Sequence, residues 1–368
     1  MLETIIFASM DSEKMFIENR VRPVSGSSKW EAPSNIALVK YWGKFGAQYP
    51  KNPSMSFTLS KCVTQTSLAF KPKENSSSSF SFDFIFEGKP TPSFHPKIEA
   101  FLERIELYTP FVKTHHLTIE SNNSFPHSSG IASSASGMSA LALGIMSIEK
   151  EINSEISEDY FFKKASFLAR LGSGSAARSI QGPLVSWGLS DAIDGSSDLF
   201  GTPFRSKIHT VFQDYQDTIL LIDKGQKNVS SSLGHDLMNN HHYATTRFDQ
   251  ARKNVEDLKS ILANGDLTAF VSLVESEALT LHALMMASKP YFILMHPNTL
   301  HVLNKVWAYR KENKSALCFT LDAGANVHLL YPKSEREAVL KYIKGELSVY
   351  CQNNQFIEDQ IGSGARKL

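Results

Sequence analysis

Cysteine is scarce in this sequence of 368 residues, and the cysteines that occur have no metal-binding or redox spacing. Cys62, Cys318 and Cys351 are odd in number and far apart, so neither a disulfide framework nor a C-x-x-C zinc or redox centre is indicated. We therefore expect reduced thiols and a cytoplasmic location.

The sequence also lacks an excess of charge of either sign, because 38 Lys and Arg residues face 37 Asp and Glu residues. A nearly neutral chain has no overall field for gripping nucleic acid or an anionic membrane, so we expect neither as a partner. Residues 1–22 contain no apolar run long enough for a signal peptide or a membrane span, and no outward targeting is expected. Any bound anion must be held by local groups.

Two common nucleotide-binding motifs are missing. The P-loop pattern G-x-x-x-x-G-K-[ST] does not occur, and no G-x-G-x-x-G follows a strand-like segment, so neither of those folds is supported. Instead, the small-residue run Pro126–Gly137 lies between a strand-like segment and a strongly apolar helical one. Small residues let backbone N–H groups approach an anion, and a helix start adds positive partial charge. The run predicts a polyphosphate cradle, although by itself it is also typical of an ordinary loop.

The chain is longer than the size at which one hydrophobic core usually stops growing, so two lobes with a cleft are expected. We predict an N-terminal extension over residues 1–28, an N-terminal domain over 29–195 and a C-terminal domain over 196–368. The first two dozen residues lack a clear period, which indicates an extension or a loosely docked arm. Strands and helices mix in both halves, which predicts the α+β class.

Hydrophobic periods indicate where the regular elements lie. Helices are predicted over residues 97–104, 138–148, 161–171, 248–262, 267–284 and 299–309. Strands are predicted over residues 32–41, 54–59, 80–86, 117–120, 218–222, 317–321 and 327–331. In the third strand, alternating phenylalanines predict a half-buried face, and an aromatic ligand platform is the alternative interpretation.

Three further segments turn the serine-rich run into a specific resemblance. They are Ala32–Lys44 (APSNIALVKYWGK), Gly172–Arg178 (GSGSAAR) and Asp322–Asn326 (DAGAN). With Pro126–Gly137, and in this order, they resemble the signatures of the diphosphomevalonate decarboxylases, within the GHMP kinase superfamily. The resemblance implies a two-lobed GHMP kinase fold with the active-site cleft between the lobes. It also implies ATP-dependent decarboxylation of mevalonate 5-diphosphate to isopentenyl diphosphate, a step of the mevalonate pathway of isoprenoid biosynthesis.

The resemblance implies four catalytic residues. Asp322 would be the catalytic carboxylate beside the 3-hydroxyl of the substrate, with Lys40 as the neighbouring cation. Arg178 would pair with the substrate carboxylate through its planar fork, and Ser134 would lie nearest the β- and γ-phosphate oxygens. Each of the charged residues also has an ordinary interpretation, as a turn carboxylate, a solvent-reaching strand lysine or a salt-bridged helix arginine.

The resemblance further implies two binding sets and two cofactors. The substrate-binding set comprises Asn35, Tyr41, Lys44, Ser173, Ser175 and Arg178. The ATP-binding set comprises Ser128, Ser129, Gly130, Ile131, Ala132, Ser133 and Ser134. Mg²⁺ would be held mostly by phosphate oxygens and water, with Ser134 as the protein group that could approach it and no dedicated protein cage. A homodimer is the expectation from the family.

Some residues depart from the family pattern, and two other functions stay open. His127-Ser-Ser129 stands where many members carry Thr-Ala-Ala, and Ala325 where proline is usual. The chain could instead be a mevalonate-type small-molecule kinase that stops after phosphorylation, or a non-catalytic member that binds ligands. Retention of Lys40, Arg178 and Asp322 in these contexts argues against both.

Two histidine-containing segments are interpreted as structural. His235, His241 and His242 precede a predicted helix without a matched carboxylate, which predicts a solvated polar stretch more readily than a metal site. Glu277 and His282 lie on a predicted helix that resembles a family segment bordering the cleft. We interpret that helix as supporting structure.

Overall fold

The computed structural model describes residues 12–74, 79–126, 131–225 and 231–368, with the side chains of 231 and 232 excepted. Strands and helices alternate irregularly along the chain, as the α+β prediction requires. Among the described residues the strands are β1 (Gly26–Val39), β2 (Lys44–Phe45), β3 (Tyr49–Pro50), β4 (Ser54–Pro72), β5 (Ser81–Phe86), β6 (Lys89–Pro90), β7 (His115–Asn123), β8 (Leu184–Trp187), β9 (Thr202–Pro203), β10 (Gln216–Leu220), β11 (Cys318–Thr320), β12 (Val327–Tyr331), β13 (Phe356–Gln360) and β14 (Arg366–Lys367). The helices are α1 (His95–Ile105), α2 (Ser133–Ile152), α3 (Glu158–Gly172), α4 (Ser231–Leu237), α5 (Ala244–Asn264), α6 (Leu267–Met286), α7 (Pro297–Asn313) and α8 (Arg336–Tyr342).

Two sheets organise the lobes. The larger sheet has the order β14-β1-β4-β7-β5-β6, with β8 paired to β4 and β9 paired to β8. The smaller sheet has the order β11-β12-β10-β13 and is antiparallel throughout. A separate hairpin is formed by β2 and β3. The domain boundary between residues 195 and 196 stays a prediction, but β9 and β14 lie beyond it and pair with the larger sheet.

The six predicted helices are present within a few residues of their predicted bounds, as α1, α2, α3, α5, α6 and α7. The strand predicted over 32–41 begins earlier and ends at Val39, and the strand predicted over 54–59 extends to Pro72. The extension of β4 has a physical cause, because it pairs along one edge with β1 and along the other with β7. Elements of weak period, such as α4, α8 and β13, escaped prediction.

The N-terminal arm is packed against the first lobe. Residues Lys14–Phe16 form a 3-10 turn, and the Phe16 ring is fully buried and stacked on Phe167 with centroids 4.5 Å apart. An aromatic side chain buried in this way contributes roughly 1.5–3 kcal/mol of hydrophobic stabilisation. The expectation of a loosely docked arm is therefore wrong for Glu13–Glu18, whereas residues 19–23 are exposed.

Helix α6 is long and apolar enough to cross a membrane by length and composition, and it is the one described helix with that property. Its side chains lie mostly inside the protein, where it packs against α5 and β11. Phe270 and Val274 of this helix join a core that includes Ile36 of β1 and Phe57 of β4. The helix is thus a core element that ties the second lobe to the first.

Candidate active site

The site is built where a strand of each lobe ends. Strand β1 stops at Val39 and is followed by Lys40, while β11 stops at Thr320 and is followed two residues later by Asp322. Nζ of Lys40 lies 2.9 Å from Oδ1 of Asp322, with exposed side-chain fractions of 2% and 28%. Burial lowers the pKa of the Lys40 ammonium, and the charge of Asp322 opposes that shift. Two of the predicted catalytic residues are thus in direct contact across the lobes.

The backbone of Lys40 is held by a buried ion pair that sequence reasoning only partly identified. Arg247 of α5 and Glu277 of α6 form two parallel hydrogen bonds of 2.6 and 2.7 Å. Glu277 accepts a hydrogen bond from the Lys40 N–H at 2.8 Å, and Arg247 donates to the Lys40 carbonyl at 3.0 Å. Glu277 therefore has the supporting position that was predicted. Arg247 was missed, because an arginine on an amphipathic helix gives no signal of an inward direction.

His282 fixes the other half of the pair. Its Nε2–H donates to the backbone carbonyl of Asp322 at 3.1 Å. Burial lowers the pKa of His282 to about 4, so the imidazole is neutral near pH 7 and its other ring nitrogen carries no proton. The hydrogen bond from His282 thus fixes the backbone of Asp322, and with it the position of the carboxylate.

Arg178 lies beside this pair, at the end of the 3-10 turn Gly174–Arg178, and its side chain is 2% exposed. Its guanidinium donates to the hydroxyls of Ser54 and Ser56 at the start of β4. Burial lowers the pKa of Arg178 to about 10, and the charge of Asp322 partly opposes the shift. Within the described parts of the chain, no carboxylate lies within ion-pair distance of Arg178. A buried cation without a counter-ion is costly, and the arrangement suits an anionic ligand.

Tyr41 and Gly174 bring two of the predicted segments together. A Cβ atom on Gly174 would lie 2.9 Å from the Tyr41 hydroxyl and from the Trp187 ring, so only glycine fits there without movement. The Tyr41 hydroxyl is buried and finds no hydrogen-bond partner among the described residues. Such a group is normally satisfied, and a polar ligand would satisfy it here.

Asn35, predicted to bind substrate, contacts the segment that carries Arg178. Its amide donates to the Ser179 hydroxyl at 2.7 Å and to the Ser175 carbonyl at 3.2 Å. Its oxygen lies 3.5 Å from Nη2 of Arg178. The amide therefore orients the turn that carries Ser175 and Arg178.

His235 of α4 connects the second lobe to the residues after β1. Its Nδ1 accepts a hydrogen bond from the Gly43 N–H at 3.0 Å, and its ring lies 4.2 Å from Tyr41 and 4.6 Å from Trp42, centroid to centroid. Burial, followed by the charges of Lys44 and Arg178, lowers the pKa of His235 to about 3.

The prediction of a solvated histidine stretch is therefore wrong for His235 and also for His241, which are both buried. The cause is tertiary, because both rings fill space against the other lobe or a neighbouring helix. Across the residues that the structure describes, no three His, Cys, Asp or Glu side chains cluster closely enough to hold a metal ion.

The serine-rich run meets the start of α2. Ala132 adopts a left-handed conformation with φ +47°, and the helix begins at Ser133. The Ser134 hydroxyl lies 3.3 Å from that of Ser173, so the predicted phosphate loop and the predicted substrate segment are adjacent. Ile131 has its side chain in the core and offers its carbonyl to Ser34. Ser128, Ser129 and Gly130 lie outside the described residues.

A cavity that is partly open to solvent lies beside the start of α2. Its apolar side includes Phe84 and Phe86 of β5, and its polar side includes Ser133, Ser134 and Lys97. The alternating phenylalanines thus form the predicted strand, and the cavity also favours the alternative of an aromatic platform for a ligand. Lys97 lines this cavity but was not predicted as a candidate site residue, because the sequence showed only that it lies on a helix.

Lys44 stands on the first strand of the β2–β3 hairpin, with Nζ 3.9 Å from Oδ1 of Asp236. At that separation, and with Asp236 largely exposed, the pair is weak. The lysine remains available to an anion near His235, whose pKa responds to it.

Two lobes with a serine loop at a helix start, and a catalytic-type Lys–Asp pair between them, define an enzyme of the GHMP kinase fold. Residues 32–198 match the family model of the diphosphomevalonate decarboxylase-like N-terminal domain, and residues 218–365 match that of the mevalonate 5-diphosphate decarboxylase C-terminal domain. The chain belongs to the diphosphomevalonate decarboxylase family.

Individual relatives agree with this assignment. Diphosphomevalonate decarboxylase mvd1 of Aspergillus fumigatus is 28% identical over 337 residues, which cover 86% of this chain and 79% of the relative. The crystal structure of mevalonate diphosphate decarboxylase from Staphylococcus aureus has a TM-score of 0.79 at 28% identity, covering 94% of this chain and 98% of that one. A structure of MDDEF in complex with MVAPP, AMPPCP and magnesium has a TM-score of 0.78 at 28% identity, with coverage of 94% and 99%.

Proposed function

We propose that this chain catalyses the ATP-dependent decarboxylation of mevalonate 5-diphosphate to isopentenyl diphosphate. The observation that carries the proposal is Arg178, which is buried next to the Lys40–Asp322 pair and has no carboxylate partner among the described residues. The substrate would bring that carboxylate into the pocket. A planar guanidinium can hold it through two parallel hydrogen bonds.

The remaining groups of the site fit the rest of the substrate. The Tyr41 hydroxyl, Ser173 and Ser175 provide neutral polar contacts near Arg178, and Lys44 provides a cation for the diphosphate end. Each negative group of the substrate would then face a positive side chain of the protein, the carboxylate facing Arg178 and the diphosphate facing Lys44. No buried charge would lack a partner of opposite sign. These roles are proposals that rest on the contacts described above.

The cavity beside α2 is the proposed site of ATP. Aromatic rings on one wall suit a nucleoside, and the start of α2, with the hydroxyls of Ser133 and Ser134, suits its phosphates. Mg²⁺ would be held by the phosphates, water and the Ser134 hydroxyl, where it would neutralise charge on the transferred phosphoryl group. A related structure was solved with AMPPCP and magnesium, which supports this choice.

Hydroxide is a poor leaving group from the tertiary carbon that carries the 3-hydroxyl of the substrate. The 3-hydroxyl is therefore first converted into a phosphate ester, because phosphate leaves readily. Asp322 orients the 3-hydroxyl and accepts its proton as the oxygen attacks the γ-phosphorus of ATP, and ADP leaves. Lys40 stabilises the charge on the transferring group. The carbon–oxygen bond then breaks, and phosphate departs with the electron pair. Carbon dioxide leaves from the carboxylate held by Arg178, and the electrons of the broken carbon–carbon bond form the new double bond.

Measurement of ADP and carbon dioxide from the same reaction tests the proposal. The wild type should release one of each per mevalonate 5-diphosphate consumed, and Asp322→Asn should lose at least about a thousandfold in kcat while remaining folded. Asp249→Asn is a matched control, because its carboxylate belongs to an exposed surface pair with Arg252. ADP formation with a stable 3-phosphorylated product and no carbon dioxide would favour the kinase alternative. Ligand binding with no ADP formation at saturating magnesium would favour a non-catalytic member.

A cytoplasmic location and a homodimer complete the proposal. The three cysteines are all free and buried, which agrees with a reducing compartment. Sedimentation of the purified protein at several concentrations tests the dimer, which a single species of about 41 kDa would contradict.

A further inference from the structure

A carboxylate of the N-terminal arm reaches the hairpin that carries Lys44. Oε1 of Glu13 accepts hydrogen bonds from the Tyr49 hydroxyl at 2.6 Å and from Nη2 of Arg170 at 2.9 Å. Its Oε2 accepts one from the Tyr108 hydroxyl at 2.7 Å. Both oxygens of Glu13 are therefore used, by groups of the β2–β3 hairpin, of α3 and of the segment after α1.

Arg170 is the centre of this contact. Its side chain has no exposed surface, and its ion-pair partner among the described residues is Glu13. Nη1 donates to the carbonyl of Ala47 at the tip of the hairpin at 2.6 Å, and the guanidinium lies 4.5 Å from the centroid of the Tyr49 ring. Lys44 stands on the first strand of the same hairpin, paired in register with Pro50. The hairpin that carries Lys44 is thus held by the hydrogen bond from Tyr49 to Glu13 and by the contacts of Arg170 with Ala47 and Tyr49.

Arg170 also lies close in sequence to the second half of the substrate site. It is in the last turn of α3, two residues before the segment Gly172–Arg178. The arm itself is firmly seated, because Phe16 is buried in the core and the Glu18 N–H donates to the Tyr108 carbonyl at 3.3 Å. None of these arm residues falls within the matched family models, which begin at residue 32.

We propose that Glu13 is a positioning residue, which acts through Arg170 and Tyr49 to fix the β2–β3 hairpin and so sets the affinity for the phosphate end of the substrate. The inference rests on the proposed function of Lys44 as the cation for that end. Without Glu13, the Arg170 cation would be buried without its counter-ion, and the hairpin would lose the acceptor that holds Tyr49. The charge on Arg170 would then draw solvent into this contact and displace the hairpin.

The test compares Glu13→Gln with Glu18→Gln, which changes the same arm at a carboxylate bonded to the Arg20 N–H. For Glu13→Gln we expect the KM for mevalonate 5-diphosphate to rise about tenfold, which corresponds to about 1.4 kcal/mol, with kcat and the KM for ATP unchanged. Glu18→Gln should match the wild type in all three constants. A loss of stability alone would lower the active fraction, and therefore the apparent kcat, without this selective change in KM.

A double-mutant cycle with Lys44→Met separates this inference from the proposed function. If Glu13 acts through Lys44, adding Glu13→Gln to Lys44→Met should raise the KM no further, whereas full additivity would overturn the inference. A wild type that releases no carbon dioxide would instead refute the proposed function. If Glu13→Gln does not fold, Tyr49→Phe removes one hydrogen bond to Glu13 and should give a rise of about threefold. An unchanged KM in a folded Glu13→Gln or Tyr49→Phe would also overturn the inference.

Discussion

Nζ of Lys40 lies 2.9 Å from Oδ1 of Asp322, although the two residues are 282 positions apart in the chain. Each follows the end of a strand in a different lobe, and each has its own backbone support, from Arg247 and Glu277 for Lys40 and from His282 for Asp322. Because both ends are fixed in this way, the pair is pre-organised before any ligand arrives. Charge stabilisation by such fixed groups is the largest single contribution to many enzymatic rates.

Replacement of Lys40 by methionine should therefore affect catalysis more than folding. We expect Lys40→Met to lower kcat by at least about a hundredfold, because the charge beside the transferring phosphoryl group is lost. The partly exposed Asp322 stays hydrated, so the protein should remain folded. Steady-state kinetics and thermal unfolding check both parts. Lys305→Met, which breaks an exposed pair with Glu346, is the matched control. A kcat of Lys40→Met equal to that of the control would contradict the assignment.

Substitution of Arg178 by lysine tests the planar fork separately from the charge. We expect Arg178→Lys to raise the KM for mevalonate 5-diphosphate by roughly ten- to a hundredfold, because an ammonium cannot make two parallel hydrogen bonds to a carboxylate. The KM for ATP should stay near that of the wild type. Arg252→Lys makes the same chemical change in an exposed pair and should have no effect. Equal substrate KM values for both variants would exclude bidentate binding.

Addition of a single methyl group at Gly174 should disturb the meeting point of two segments. The Cβ of Gly174→Ala would lie 2.9 Å from the Tyr41 hydroxyl and the Trp187 ring, so a buried side chain must move. We expect a loss of about 1–3 kcal/mol in the free energy of unfolding, together with weaker substrate binding. Urea denaturation and substrate titration measure the two effects. Gly345→Ala, where a Cβ would meet nothing within 4 Å in a helical segment, should not lower the free energy of unfolding and should leave substrate binding unchanged.

The buried histidines should make the folded state sensitive to acid. Folding lowers the pKa of His235 from 6.5 to about 3. Below pH 6.5 the unfolded state therefore binds a proton at this residue, whereas the folded state does not. The free energy of unfolding should therefore fall with decreasing pH, by up to about 1.4 kcal/mol per pH unit from this group. His235→Asn keeps an acceptor for the Gly43 N–H but does not titrate.

Denaturation of the wild type and of His235→Asn between pH 5 and 7 measures that contribution as a difference in slope. His282, whose pKa is also lowered by burial, remains in both proteins and cancels in the comparison. Identical slopes would show that His235 is protonated as readily in the folded state as in the unfolded one.

The sequence predicted the long helices well, because each buries a continuous apolar face. Helix α2 is the clearest example, since its apolar positions recur over five turns and every residue from Met138 to Glu149 is buried. It did not predict the packed arm, because Phe16 is a single aromatic in a segment without period. Nor did it predict the length of β4, which depends on pairing with two strands that are distant in sequence.

The charged residues of the site were predicted from the family resemblance. That they lie close together became visible only in the folded structure. No spacing in the chain relates Lys40, Arg178 and Asp322, because they arise from different elements of two lobes. The supporting residues Arg247 and His235 were missed or misassigned for the same reason. Each looks like a surface residue in its own segment, and its burial depends on contact with the opposite lobe.

The final strand β14 pairs with β1 at Trp30 and Glu31, and the Leu368 N–H donates to the Lys29 carbonyl. The polypeptide therefore leaves the larger sheet, builds the second lobe and returns to close an edge that would otherwise be open. A first lobe produced without the second would lack β14 and leave this edge of β1 unpaired. Unpaired strand edges favour association with other molecules. The first lobe is thus not a self-sufficient half of the molecule: its last strand is made only after the whole of the second lobe has been synthesised.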